Sequence, residues 1–205
     1  MKTIKNLFVL CALTGLAGAA WAAPREFDFK DPKGVNNAVF KLDAPLEAIL
    51  GSANGISGKV RFDPEDPAAT QGKITVATAT LHVPNPMMKE HLQGAQWLDV
   101  AKYPEMVFET KSAQHAQTSG NVTTLDLAGS LTIKGVSKEI TVPVKLTYLK
   151  DKLSQRVPNL SGDLLVIRAN FSIQRSDYGI NPGAPQDKVS DTIELTLSIA
   201  GAAPH

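Results

Sequence analysis

Residues 123–148 read TTLDLAGSLTIKGVSKEITVPVKLTY, and this stretch decides the fold. Apolar residues stand at nearly every second position from Leu125 to Ile133, and the alternation resumes from Ile140 to Tyr148. Successive side chains of a β-strand point to opposite faces, so a period of two predicts two strands, each with one apolar and one polar face. The KGVS sequence between them is typical of a tight hairpin, which makes the two strands antiparallel.

The same alternation continues through most of the chain. It predicts about eight strands, at residues 36–43, 56–62, 73–84, 105–115, 121–133, 138–149, 162–176 and 188–200. Turn-forming residues separate them at TSGN (118–121), DPEDPAATQG (63–72) and NPGAP (181–185). The segment APLEAILGSANG (44–55) is predicted to contain a short helical turn.

The number and length of these strands indicate how the sheet is arranged. Long strands that are apolar on one face leave edges that aggregate unless the sheet closes. We therefore predict an all-β chain that forms a closed antiparallel barrel of about eight strands, a size at which the lumen is filled by side chains or holds one small ligand. A β-sandwich is the competing architecture, and the long alternation of the last five strands favours the barrel.

Residues 1–22 have the pattern of a cleaved signal peptide. Lys2 and Lys5 form its positive region, an apolar run follows, and Ala20-Trp21-Ala22 places small residues at the usual positions before a cleavage site. The apolar run is shorter than the ~20 residues that span a membrane, and no later segment approaches that length. We therefore expect export to a bacterial periplasm and one mature domain, residues 23–205.

The composition argues against several classes of function. The chain has 21 Lys and Arg against 20 Asp and Glu, and removal of Lys2 and Lys5 leaves no positive surplus for binding nucleic acid. The single cysteine, Cys11, lies in the predicted signal, so the mature chain has no thiol for a disulfide, a nucleophile or a metal. No GxSxG, HExxH, GxGxxG or phosphate-binding loop motif is found. We predict no catalytic residue, no cofactor and no metal site.

The segment HLQGAQWLDVAKYP (91–104) departs from the strand pattern and is predicted to form a short helix and a turn. We interpret His91 as a histidine at the helix start that is held by hydrogen bonds at one end of the barrel. The alternatives are a two-histidine metal site with His82, or a general base. A general base needs a nucleophile or a positioned carboxylate, and the neighbouring Glu90 would point elsewhere on a helix.

Strand parity predicts which residues point into the barrel. The apolar set that it assigns to the lumen is Met106, Phe108, Leu125, Leu127, Ile140, Val142, Leu165, Ile167, Phe171, Ile193 and Leu195. These residues either fill the barrel as a packed core or line a ligand tunnel, and parity alone does not separate the two. A tunnel would bind its ligand by burial of apolar surface, at ~0.8 kcal/mol per methylene.

Two charged residues, Arg175 and Asp191, share this inward parity on consecutive predicted strands. Buried charges are costly unless they are paired, so we predict that the two face each other across the barrel. Such a pair would act either as a structural plug at one end or as an anchor for a ligand headgroup. An enzyme on the same barrel is a further alternative, and it would depend on these two residues because no other titratable groups have inward parity.

Several motifs, in order along the chain, resemble those of the YceI family. They are ISGKVRFDPEDP (56–67), HLQGAQWLDVAKYPEMVFET (91–110), GSLTIKGVSKEITVPV (129–144), and IQRSDYGIN (173–181) followed by VSDTIELTL (189–197). That family consists of exported bacterial proteins that bind lipid or polyisoprenoid. The resemblance implies an extended, lipocalin-like, eight-stranded antiparallel barrel with short helical segments near one end. It implies no catalytic residues and no metal.

On this resemblance we expect a periplasmic carrier for a long-chain amphiphile, such as a polyisoprenoid, a quinone or a fatty-acyl derivative. The inward apolar set then becomes the ligand-binding lumen, and Leu92 and Trp97 lie near its lid. The alternative is a barrel with a filled lumen that serves as a protein-interaction module in envelope stress. A homodimer is left open as a further partner.

Overall fold

The computed structural model describes residues 24–205, and this part of the chain contains ten strands and two short helices. The strands are β1 (Arg25–Asp28), β2 (Asn37–Asp43), β3 (Ala48–Ala53), β4 (Ile56–Phe62), β5 (Gln71–Ala77), β6 (Glu105–Ser119), β7 (Val122–Ile133), β8 (Val136–Leu149), β9 (Gly162–Gln174) and β10 (Thr192–Pro204). The helices are α1 (Pro86–Gln93) and α2 (Leu153–Arg156). The predicted signal peptide lies outside the described residues. None of the helices in the described range is long and apolar enough to cross a membrane.

Eight of the strands form a closed antiparallel ring in the order β1-β4-β5-β6-β7-β8-β9-β10, and pairing of β10 with β1 completes it. The predicted eight-stranded barrel is therefore confirmed. The segment 123–148 forms the predicted hairpin of β7 and β8 within this ring. Its turn residues Lys134 and Gly135 have φ angles of 51° and 75°. Positive φ at both positions is characteristic of the type I′ turn, whose twist matches that of the flanking strands.

Two strands, β1 and β2, pair with different parts of the same edge of β10 and close the barrel. The C-terminal part of β10 pairs with β1 through Ala202 and Asp28, and its N-terminal part pairs with β2. Strand β2 pairs in turn with β3, and Ser52 of β3 exchanges backbone hydrogen bonds of 2.9 and 2.7 Å with His82. Strand β1 thus completes a narrow end of the barrel, whereas β2, β3 and the segment around His82 complete a wider end.

Aromatic side chains fill the narrow end. Phe27 and Phe29 are fully buried, Phe62 is 1% exposed, and the rings of Phe27 and Phe62 each lie 6.2 Å from the ring of Tyr148. The Phe29 ring packs directly on the backbone of β10 at Gly201, where a Cβ atom would stand 2.6 Å from it. A residue larger than glycine therefore does not fit at this position without moving the ring.

A buried carboxylate, Asp163, lies at the same narrow end. It accepts hydrogen bonds from the Tyr148 hydroxyl at 2.6 Å and from the Asp151 backbone N–H at 2.8 Å, and it forms an ion pair with Arg25. Burial, together with the hydrogen bond to Asp163, raises the pKa of Tyr148 to about 12. The phenol is therefore a stable donor to the carboxylate at neutral pH.

Two predictions about local structure are wrong. The helical turn expected within residues 44–55 is instead strand β3, because pairing with β2 overrides a local composition that suits a helix. The strand expected at 73–84 ends at Ala77, since Thr78–Thr80 forms a 3-10 turn. In that turn the Thr80 hydroxyl donates to the Ala77 carbonyl oxygen at 2.7 Å. Strand β1 was not predicted at all.

Substitution of Gly201 tests the packing of the narrow end. Gly201→Ala should lower the free energy of unfolding by about 1–3 kcal/mol, because the added methyl group displaces the Phe29 ring. Gly183→Ala is the matched control, since no atom lies within 4 Å of its added Cβ. The control should change stability by less than about 0.5 kcal/mol in urea unfolding. Equal costs for the two variants would contradict this description.

The raised pKa of Tyr148 predicts a pH dependence of stability. Its folded pKa of about 12 exceeds the ~10 of an unfolded tyrosine, so its contribution to stability is present below about pH 10 and is lost as the pH rises toward 12. The difference in unfolding free energy between the wild type and Tyr148→Phe should therefore shrink between about pH 9 and about pH 11.5. Urea unfolding at a series of pH values measures it, and a constant difference would be inconsistent with the raised pKa.

Candidate ligand-binding cavity

A cavity of about 400 Å³ lies inside the barrel, toward the wide end. Small-molecule sites in proteins commonly enclose about 300–1,000 Å³. Its walls are the inner faces of β2 to β10, with α1 and the segment that follows α1. Most of these wall residues are apolar, so the cavity offers extensive hydrophobic contact and few hydrogen-bonding groups.

Most of the predicted lumen residues lie in these walls. The structure places at the cavity the side chains of Leu92, Trp97, Met106, Phe108, Leu127, Val142, Ile167, Phe171, Ile193 and Leu195. Strand alternation therefore identified much of the inner face from the sequence. That these residues contact a ligand stays a prediction.

Three predicted lumen residues do not reach the cavity. Leu125 and Leu165 are buried in the filled part of the barrel, in the same core cluster as Phe27. Ile140 is partly buried and packs against the core at both ends. Their inward parity is right, but parity carries no information about depth along the barrel axis.

The sequence predictions missed the wall that the N-terminal strands and the segment after β5 contribute. Its members include Phe40, Leu42, Ile49, Leu81 and Val83. Phe40 and Leu42 of β2 alternate within the predicted strand 36–43, so the strand pattern could have identified them. Leu81 and Val83 were predicted on the opposite face from Val76, but the 3-10 turn at Thr78–Thr80 brings them to the inner face.

Helix α1 covers part of the cavity. The Asn85 side chain caps its N-terminus by accepting a hydrogen bond from the Met88 N–H at 3.2 Å, and Pro86 occupies the first turn. The helix ends at Gln93, and Gly94 is its C-cap residue. Met88 and Leu92 are four residues apart, so they share one face of the helix, and both line the cavity.

The interpretation of His91 as a residue at the helix start is wrong. His91 lies in the last turn of α1, five residues after Pro86, and its carbonyl oxygen accepts a hydrogen bond from the Gly94 N–H at 2.9 Å. Asn85 performs the capping instead. The His91 side chain is exposed and lies at the rim of the cavity.

Within residues 24–205, Arg175 is the one charged side chain that is fully buried and also lines the cavity. Its guanidinium donates hydrogen bonds to the backbone carbonyl oxygens of Ile180 at 2.6 Å, of Asn181, and of Ser190 at 3.3 Å. The guanidinium carbon lies 5.8 Å from the centre of the Trp97 ring, within the range of a cation–π interaction. An apolar cavity thus contains one fixed, buried cation.

We predicted that Asp191 faces Arg175 across the barrel. In the structure, Asp191 lies beside Arg175. Residue 175 follows β9 and residue 191 precedes β10, and antiparallel neighbours bring these two positions together, so the Arg175 N–H donates to the Asp191 carbonyl oxygen at 2.7 Å. The side-chain atoms Nη2 and Oδ1 are 3.8 Å apart, so the two charges form the predicted ion pair, at a distance too long for a hydrogen bond. The Asp191 carboxylate accepts instead from the N–H and the hydroxyl of Ser176, at 2.9 and 2.7 Å.

A group of potential metal ligands occurs at the narrow end, away from the cavity. Asp151, Asp163 and His205 offer ligand atoms that lie within 4.8 Å of one another. The buried Asp163 already accepts hydrogen bonds from Tyr148 and from the Asp151 backbone and pairs with Arg25. These contacts are those of a structural network that joins Arg25 of β1 to β8 and β9.

In a comparison against protein families, the YceI-like domain matches residues 34–201. The chain belongs to the YceI family. Among curated relatives, a UPF0312 protein of Yersinia pestis is 29% identical over 203 residues, which cover 98% of this chain and 96% of that protein. The family predicted from the sequence motifs is therefore confirmed.

Solved structures share the YceI-like fold. Burkholderia cenocepacia BcnA has a TM-score of 0.65 at 22% identity, over 80% of this chain and 95% of that one. A polyisoprenoid binding domain from Saccharophagus degradans, implicated in plant cell wall breakdown, has a TM-score of 0.63 at 10% identity, over 88% of this chain and 99% of that one. At these identities the likeness shows the fold.

The side-chain hydrogen bonds of Arg175 and Asp191 go to different partners. Removing the carboxylate charge of Asp191 should therefore have a small effect on the free energy of unfolding. Asp191→Asn should lower the free energy of unfolding by about 1 kcal/mol, because asparagine keeps an acceptor for Ser176. Breaking a buried ion pair would cost about 3–5 kcal/mol instead. Asp43→Asn, which removes the exposed pair with Lys41, gives the scale for a surface charge in the same urea titration. A loss of 3 kcal/mol or more for Asp191→Asn would show that the ion pair with Arg175 dominates the stability of this site.

Proposed function

We propose that this protein binds one long-chain amphiphile, a polyisoprenoid, a quinone or a fatty-acyl derivative, in its barrel cavity and carries it in the periplasm. The observation that supports this most strongly is the apolar cavity of about 400 Å³ in a barrel whose other end is densely packed. Protein interiors are normally close-packed, and an empty apolar cavity costs stability in lost contacts. A cavity of this size is therefore well explained by a ligand that fills it.

The chemistry of the walls supports the proposed ligand class. Each methylene that moves from water into the cavity contributes ~0.8 kcal/mol, so a chain of a dozen carbons can bind without strong polar contacts. The Saccharophagus degradans domain of the same fold is described as binding polyisoprenoid. That description supports the same class of ligand for this chain.

A binding role suits the titratable groups of the cavity better than catalysis does. Glu47, His91 and Arg175 are the ones that line it among the described residues. Glu47 and His91 are exposed, and the hydrogen bonds of Arg175 go to backbone carbonyl oxygens. This arrangement offers no hydroxyl nucleophile bonded to a base, which covalent catalysis would need.

The rival role, a protein-interaction module with a filled lumen, fits the cavity less well. A module of that kind would need no internal space, whereas the wide end of this barrel keeps its space open. The periplasmic location rests on the pattern of residues 1–22, which the mass of the exported protein would test. The homodimer stays a prediction.

Filling the cavity tests the proposal directly. Ala169 is buried on β9, lines the cavity, and pairs with Val144 and Leu197, which also line it. Ala169→Phe should therefore weaken binding of a dansyl-labelled fatty acid at least about tenfold, since the ring occupies the space of several methylenes. The fluorescence of the bound probe, and its displacement by unlabelled oleate or by a polyprenol, measures the affinity.

Ala128→Phe is the matched control for this experiment. Ala128 lies on β7 between Leu127 and Gly129, on the outer face of the barrel, and it does not line the cavity. The control should bind the probe as the wild type does, and circular dichroism checks that both variants fold. A wild type that binds neither the probe nor its competitors would refute the proposed function. So would equal binding by the two variants, because the probe would then lie outside the cavity.

A further inference from the structure

We infer that the Arg175 guanidinium is an anchor for an anionic headgroup, so that the cavity selects amphiphiles that end in a carboxylate or a phosphate. This inference rests on the proposed function and specifies its ligand class. A guanidinium has five N–H donors, one on Nε and two on each terminal nitrogen. In Arg175, Nε donates to Ser190 and Nη1 donates to Ile180 and to Asn181.

The two N–H groups of Nη2 have no hydrogen-bond partner among residues 24–205. This nitrogen is buried and makes no hydrogen bond, and the nearest carboxylate oxygen, of Asp191, is 3.8 Å away. A buried donor that is left unpaired costs free energy, and native structures contain few of them. Arg175 lines the cavity, so an oxygen atom of a bound ligand can become the partner of Nη2 once the side chains that cover this nitrogen move aside.

The charge of Arg175 makes an anionic oxygen the best acceptor. Both oxygens of the neighbouring Asp191 carboxylate already accept hydrogen bonds from Ser176, and its side chain is 21% exposed to water. The positive charge within the cavity is therefore only partly compensated. In an apolar environment a carboxylate or phosphate on the ligand completes the compensation, with charge-assisted hydrogen bonds that a hydroxyl headgroup does not match.

The cation is also held in place before any ligand binds. Three carbonyl oxygens fix Nε and Nη1, and the guanidinium lies over the Trp97 ring. A preorganised donor loses little conformational entropy on binding. The hydroxyl of Tyr178, in the adjoining 3-10 turn, is likewise buried without a partner. Burial, and to a smaller extent the charge of Asp177, raises the pKa of the Tyr178 phenol. The phenol therefore stays protonated and is a second hydrogen-bond donor in the turn that follows Arg175.

Three ligands with the same twelve-carbon chain test the anchor in the wild-type protein. Dodecanoate and dodecyl phosphate carry an anionic headgroup, and 1-dodecanol carries a neutral one. In competition with a neutral fluorescent probe at about pH 8, where a fatty carboxylate is ionised, at least one anion should bind at least about tenfold more tightly than the alcohol. Which anion is preferred identifies the source of the headgroup, and either preference supports the anchor.

Variants then assign the preference to this residue. Arg175→Met should abolish the preference for the anion over dodecanol, while Arg175→Lys should retain part of the preference. Arg168→Met is the matched control, because Arg168 lies on β9, which ends directly before Arg175, but is exposed on the outer face. This control should keep the wild-type preference.

If Arg175→Met does not fold, nitrogen NMR of arginine-labelled wild type decides the question. The guanidinium signal that is missing from Arg175→Lys should shift on addition of the preferred anion and not on addition of dodecanol. Equal affinity of the wild type for all three ligands would overturn the anchor and leave the proposed function standing. A preference that survives in Arg175→Met would also overturn it. A protein that binds none of the three would overturn the anchor and the proposed function together.

Discussion

Strand β10 is the constraint on which the rest of the structure depends, because two different segments pair with the same edge of this 13-residue strand. Near its C-terminal end, β1 closes a ring of eight strands, whose interior side chains can fill. Near its N-terminal end, β2 and β3 occupy the place of β1, so the ring is wider. Phe27 and Phe62 pack the narrow end, and the cavity lies toward the wide one. One sheet therefore provides both a stable core and an open site.

The long strands were predictable from the sequence because alternation is a local property. Strand β7 begins within one residue of its predicted start and ends at the predicted residue. Strands β1 and β3 escaped prediction because they are short, and because β1 is extended through pairing with the distant strands β4 and β10 and β3 through pairing with β2. In β3 the partner shapes the residue choice as well, since a Cβ at Gly51 would stand 2.1 Å from the Phe40 ring. A contact of this kind leaves no periodic pattern in the sequence.

The sequence predicted which residues of the candidate site point into the barrel, but not how far along the barrel axis each of them lies. Leu125 and Leu127 are two residues apart with the same inward parity, yet only Leu127 lines the cavity. Parity likewise placed Arg175 inside, but its partners are backbone carbonyl oxygens of the connection between β9 and β10, whose conformation no side-chain pattern encodes. The ligand class came from the family resemblance, because the residues alone left a filled core and a tunnel equally open.

The central claim is that the wide end of the barrel holds a ligand and is not an accidental void. Native mass spectrometry of the protein, purified from its native cells without detergent, tests this most directly. The account predicts a non-covalent adduct of one long-chain amphiphile per chain, which is lost on collisional activation to leave the bare polypeptide. A spectrum of the bare polypeptide alone, from protein that also takes up no added amphiphile, would contradict it.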